Sequence, residues 1–331
     1  MENPAWKLGF AGLALNVSLK NLSPPFRSAV ESFVSLFAPI DPLAQSDIEI
    51  TFDVQGSTPK PIIKNPSFFV GSVLAERSSE GWLLVGDQGF AKIQTASPPH
   101  KLHIVLAEEV DAFSLRILSE IALFVLLRYH RRYALHSALI ATKEGEGWLF
   151  VGPSGSGKTT ISLIFELCGF RALTDDAVLL APEGLAFGHA RPFHVDPAFF
   201  GFFDALKLPS GFAKTLELWK KQSRPGFQGE LDLPIAKPLS QGLPIQALFI
   251  LEGFSMQTEL TPIPSSIALG ALLEASPFCT LESLPGHREQ LALLSALVEE
   301  RPTFSLCLGE DAFKDPVGFS EQIQKRLSHP P

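Results

Sequence analysis

The stretch Gly152-Pro153-Ser154-Gly155-Ser156-Gly157-Lys158-Thr159 decides how this chain is read. It fits G-x-x-x-x-G-K-[ST], in which glycines let successive backbone N–H groups point into one concavity that holds anionic oxygens. The pattern carries meaning only between a strand and a helix. The apolar run Trp148 to Val151 precedes it, and Thr160 to Cys168 follows with helical character. A strand that delivers the loop, and a helix whose positive end faces the same concavity, make a phosphate cradle. The nucleotide-binding candidates are Gly152, Ser154, Gly155, Ser156, Gly157, Lys158, Thr159 and Thr160. Lys158 is expected to reach the β- and γ-phosphates of ATP, and the Thr159 hydroxyl to bind Mg²⁺.

Three polar elements surround the loop in sequence. Asp175-Asp176 interrupts the apolar stretch Ala172 to Leu180. Adjacent carboxylates are costly to bury together unless positive charge compensates, and Mg²⁺ on a nucleotide beside Lys158 would do so. His136 lies in the apolar segment Leu135 to Ala141. If that segment pairs with Trp148 to Val151 through the Lys143 to Gly147 turn, His136 is carried toward the loop end of the sheet. Arg191, in Gly188 to His194, could balance phosphate charge as a clamp or lie on the surface, and His189 and His194 are weaker candidates.

The remaining chain bounds the classes. With 331 residues, a large core in one or two domains is expected, and a division near residue 134 is preferred. A net charge of -8 and a pI near 5.5 argue against a nucleic-acid binder. Hydrophobic residues make up 46% and mean hydropathy is +0.19, which raises the question of membranes. The greasiest run, Ile121 to Leu127, is bracketed by charges and too short to span a bilayer. Lys7 breaks the N-terminal apolar stretch, so no signal peptide is read there. Cys168, Cys279 and Cys307 form no C-x-x-C pair and fit a reducing, cytoplasmic setting.

Strands are expected at Leu13 to Leu19, Ile48 to Val54, Trp82 to Val85 and Leu102 to Leu106, punctuated by prolines. Val30, Phe33, Val34 and Phe37 mark a helix over Phe26 to Phe37, and another is expected from Ala112 to about Arg131, capped by Asp111. Residues 1–133 thus read as a small α+β domain. In residues 134–331, strands alternate with helices, as in an α/β fold. Gly169 is the expected residue past the loop helix, and Arg171 to Leu180 contains another strand, interrupted by the two acids. Pro209 to Gly229 reads as loops and Ala247 to Leu251 as a strand; helices are expected near Ser265 to Leu273 and Arg288 to Val298. Thr303 to Leu308 reads as the last strand, followed by a tail.

His136 before a hairpin, then Gly152 to Thr159, then Gly169-Phe170-Arg171, then Asp175-Asp176: this series resembles the C-terminal catalytic domain of the HPr kinase/phosphorylase family. Seventeen positions separate Lys158 from Asp175, similar to the family's spacing. The resemblance covers roughly residues 134 to 195. It implies a P-loop kinase core with a mixed sheet, Asp175 as the base, Asp176 with Thr159 at Mg²⁺, and His136 orienting or charge-balancing the acids. The family's glutamate-arginine-glycine-leucine-glycine type segment, tied to the reverse reaction, is not found in Ala181 to Leu251. The layout is similar to HPr kinase-related proteins with a small α+β leader, and the resemblance implies a homo-oligomer. Recruitment of the acceptor by residues 1–133 is expected from their strand edges, which can add a peptide strand.

The resulting expectation is an ATP- and Mg²⁺-dependent kinase acting on a hydroxyl, that of Ser in a peptide or protein, with no nucleic acid and no membrane span. The alternative is a nucleotide-binding interaction module with little or no phosphotransfer.

Overall fold

The computed structural model describes the chain apart from residues 1–4, 21–23, 36, 42, 56–59, 205–209, 226–228, 235–240 and 329–331. Two compact units emerge, Met1–Tyr133 with Leu281–His287, and Ala134–Thr280 with Arg288–Pro331. Both are mixed α/β, each around a large mixed sheet.

In the first unit, alternation dictates the strands. Leu15, Val17 and Leu19 of Leu13–Lys20 are buried, and the residues between them are not. This strand pairs antiparallel with Ala5–Phe10 across a turn in which Ala11 and Gly12 both have positive φ, 51° and 77°. Two such residues match the right-handed twist of the flanking strands. The helix Pro24–Val34 buries Phe26, Val30, Phe33 and Val34 and leads to Ile48–Val54, parallel to Leu13–Lys20. His100–Leu106 is parallel to Ile48–Val54 in turn, and antiparallel pairings complete a sheet of nine strands among the described residues. Several of them, including Gly89–Gln94 and Val73–Arg77, are not among the strands expected from the sequence. The second helix runs Ala112–Leu127, and Asp111 caps it, accepting from the Ser114 N–H at 2.8 Å. A 3₁₀ turn, Arg128–His130, ends in left-handed Arg131. No described helix is long and apolar enough to cross a membrane.

In the second unit, three strands run parallel side by side: Gly147–Val151, Leu243–Ser255 and Thr303–Gly309. Their aromatic residues stack across the sheet, Phe150 on Phe249 at 4.7 Å and Phe249 on Phe304 at 5.8 Å between ring centroids. The helix Lys158–Leu167 lays Ile161, Ile164 and Phe165 into this core. Its end is fixed by Gly169 (φ 81°): Gly169 N–H donates to Glu166 O and Phe170 N–H to Phe165 O, both at 3.1 Å. The Phe165 and Phe170 rings meet edge to face at 5.0 Å. These are the paired bonds and apolar contact of a Schellman ending.

Three expectations are corrected. The strand expected within Arg171 to Leu180 with the acids as an interruption is two separate strands, Arg171–Thr174 and Val178–Ala181, with the chain turning at the acids. They occupy separate places in the sheet. The loops expected over Pro209 to Gly229 contain the helix Ser210–Gln222, whose Phe212, Leu216 and Trp219 recur at helical spacing and pack on the core. Proline and glycine at the flanks obscured that period; residues 205–209 and 226–228 lie outside the described residues. The tail after Leu308 carries helices Glu310–Lys314 and Pro316–Ser328, with Phe313, Phe319 and Ile323 buried. Pro330-Pro331 lies outside the described residues.

Candidate active site

The loop strand Gly147–Val151 hands the chain to the loop helix through Gly152 to Gly157. The three glycines serve different purposes. Gly155 and Gly157 have φ of 81° and 103°, which L side chains resist. Gly152 is required for close approach, since a Cβ there would fall 2.6 Å from Ser156 Oγ and 2.8 Å from Leu251 O. Lys158 is buried, and its Nζ donates to Gly152 O at 2.7 Å and Pro153 O at 2.9 Å. Burial lowers its pKa, with Asp175 acting in the opposite sense. Ser156 Oγ is buried with no hydrogen-bond partner among the described residues.

The acids arrive from the next strand. Arg171–Thr174 pairs with Ser137–Ala141, and the Glu166 carboxylate of the loop helix accepts from Ala172 N–H at 2.7 Å, which ties strand to helix. Thr174, fully buried, accepts at its hydroxyl from Asp176 N–H and Ala177 N–H, each at 3.3 Å, and so turns the chain at the acids. Thr159 then donates its hydroxyl to Asp175 Oδ2 at 2.6 Å. Asp175 is 7% exposed, and burial raises its pKa; the Thr159 bond opposes that shift. A carboxylate held in this way retains its proton to higher pH than an exposed one.

The neighbouring Asp176 has a different environment. The hairpin register sets Ser137 opposite Val151, so His136 stands level with Gly152 at the loop end. His136 Nδ1 lies 2.8 Å from Asp176 Oδ1 and 2.9 Å from Asp176 O. Both are acceptors, so Nδ1 carries the proton and Nε2 the lone pair. Burial, with Lys158 and Arg191 nearby, lowers the His136 pKa to about 4, against an opposing influence from Asp175. With its pKa so lowered His136 is neutral at pH 7, and both of its contacts are to Asp176. The balancing cation is Arg191, whose Nη1 forms an ion pair with Asp176 Oδ2.

The loop, both acids, His136 and Arg191 thus converge. Asp176, expected to help hold Mg²⁺, has His136 on one oxygen and Arg191 on the other. Arg191, expected as a phosphate clamp, is engaged by that carboxylate. His189 is buried, and its backbone N–H donates to Ala177 O at 2.9 Å; His194 Nδ1 lies 2.7 Å from Asp232 Oδ1 in a small separate sheet. Two residues of the site escaped the sequence reading. Thr174 was signalled by its turn-forming position before the acids. Phe254, whose ring abuts Gly157, was signalled by Gly253, a lone glycine following the apolar strand run Ala247 to Leu251.

The donor set suits a magnesium nucleotide. Thr159 Oγ1 and Asp175 Oδ2 are hard oxygens side by side, and the glycine cradle and buried Ser156 hydroxyl face the same loop. Mg²⁺ commonly takes one or two such protein ligands, the rest of its shell coming from phosphate and water. No protein-family model matches the chain, and no curated protein matches it. The likeness to the HPr kinase/phosphorylase domain therefore rests on the residues quoted above.

Proposed function

We propose that this chain is a phosphotransferase with a P-loop kinase core of HPr kinase type, moving the γ-phosphoryl group of ATP to a hydroxyl, that of Ser in a peptide or protein. The observation that carries the reading is the 2.6 Å bond between Thr159 of the loop and Asp175 of the acid pair, which joins a phosphate cradle to a buried carboxylate. Backbone N–H groups of Ser154 to Lys158 and the Lys158 ammonium hold and neutralise the phosphates. Thr159 and Asp175 would hold Mg²⁺, which when bound supplies positive charge to the phosphate oxygens. We give this role to Asp175 in place of Asp176, because both Asp176 oxygens are already engaged.

In the transfer, the acceptor oxygen bonds to the γ-phosphorus as the bond from that phosphorus to the β,γ-bridging oxygen breaks. The hydroxyl proton goes to Asp175 Oδ1 and the nucleoside diphosphate leaves. Asp175 Oδ1 is the oxygen that does not accept from Thr159. Asp176, His136 and Arg191 act as positioning residues for that carboxylate and the loop.

The test is incubation of the full chain with γ-labelled ATP, Mg²⁺ and a set of Ser-containing peptides, with Lys158→Ala as control. The expected result is label in an acid-stable phosphoester, lost in the control. Label appearing only as inorganic phosphate, or ATP bound without turnover, would replace the kinase with a nucleotide-binding interaction module.

A further inference from the structure

We infer that Phe254 is the platform on which the base of the bound nucleotide rests, so that the site selects a nucleoside triphosphate over a bare polyphosphate; this builds on the phosphate-loop reading above. The juxtaposition that carries it is an exposed aromatic ring against the last glycine of the cradle. A Cβ on Gly157 would lie 3.1 Å from Phe254 Cζ, yet the Phe254 residue is 54% exposed.

The ring reaches that position through a local irregularity. Leu243–Ser255 pairs with the loop strand so that Ile250 is level with Val151, and then continues past the loop. Its register against Thr303–Gly309 shifts between Leu251 and Gly253, and Gly253 has φ 108°. Such bulges re-aim the following side chain and recur beside functional sites. Beyond the bulge the chain is pinned: Asp311 Oδ1 accepts from Thr258 N–H at 2.7 Å and from its hydroxyl at 3.0 Å, and Gly309 N–H donates to Thr258 Oγ1 at 3.1 Å. Phe313 supports the ring from 6.4 Å, tilted by 31°. Met256, 77% exposed, extends the apolar surface.

A charged cradle bordered by a fixed, exposed, flat apolar group is complementary to a ligand with an anionic tail and an aromatic head. The location agrees with this, because the three parallel strands end here and open α/β sheets bind ligands beyond the carboxyl ends of their strands. Stacking uses the π-face common to all bases, so the platform predicts weak discrimination between adenine and guanine.

The test is calorimetric titration of the full chain with Mg·ATP and, separately, with Mg·tripolyphosphate. Phe254→Ala should weaken ATP about tenfold, the scale of one base stacked on an aromatic side chain. Tripolyphosphate affinity should be unchanged, and Phe254→Trp should restore ATP binding. Equal ATP affinity in wild type and Phe254→Ala would overturn the platform alone, as would equal loss of both ligands, which would mean that the ring merely props Gly157. Wild-type protein that binds neither ligand would overturn the platform together with the phosphate-loop reading.

Discussion

The two halves of the site are built in different ways. The cradle is made of main chain: two glycines at positive φ, a third allowing close approach, and N–H groups at a helix start. The acid corner is made of side chains from three separate segments, with Asp176 held between His136 and Arg191. A backbone device has a fixed local spelling, whereas a side-chain network depends on pairings that only the assembled sheet defines. The two halves should therefore fail differently: changes in the cradle should act on binding and backbone strain, and changes in the corner on proton transfer and pH dependence.

The largest effect is expected where the halves meet. Lys158→Ala should lower phosphotransfer by on the order of 10³-fold, near the upper range for removing one charge-stabilising donor. Far-UV circular dichroism should be unchanged, because the lost contacts are two hydrogen bonds to loop carbonyls. An unfolded variant would make the lysine a structural residue.

Asp175→Asn comes next, with a loss of about 10²-fold or more in rate at pH 7, within the range of general-base contributions. In wild type the rate should rise with pH as Asp175 loses its proton, and the variant should lack this acid limb. Stability carries the opposite sign. The folded carboxyl keeps its proton above 3.8, the ordinary value, so the contribution of Asp175 to stability is lost as pH rises from there through the raised value. Denaturant titrations across that range should show the stability of wild type falling relative to that of Asp175→Asn as pH rises.

In the cradle, Gly157→Ala should cost about 1–2 kcal/mol of stability through its left-handed backbone alone. The added methyl would also meet Leu308 Cδ1 at 3.0 Å. Urea midpoints measure the loss, and ATP titrations should weaken in parallel. Gly155→Ala, where no atom lies within 4 Å, should show the backbone cost without the contact.

The smallest expected effect belongs to His136→Gln, which keeps a donor near Asp176 and removes the titration. Because the His136 pKa is lowered from 6.5 to about 4 in the folded chain, its contribution is present above pH 6.5 and is lost as pH falls toward 4. The melting temperature of wild type should drop relative to that of the variant as pH falls across this window.

The same contrast explains what could be read in advance. Gly152 to Thr159 announces the cradle because glycine, lysine and threonine each satisfy a local demand, and Gly169 ends the helix where its left-handed conformation is needed. The parallel aromatic core follows from apolar runs such as Trp148 to Val151. Arg191 could be named but not partnered, since its contact with Asp176 depends on how the chain returns after Leu185–Gly188. Thr174 and Phe254 were not singled out, because a turn hydroxyl and a bulge gain significance only from what they adjoin. The helix Ser210–Gln222 was hidden by the glycines and prolines around it.

The most direct test is the Mg²⁺ dependence of ATP binding in wild type and in Asp175→Asn, measured by titration with Mg²⁺ or with chelator present. If Thr159 and Asp175 form the metal side of a triphosphate site, Mg²⁺ should tighten ATP binding in wild type and do so much less in the variant. Equal tightening in both proteins, or no ATP binding by wild type with Mg²⁺, would contradict it.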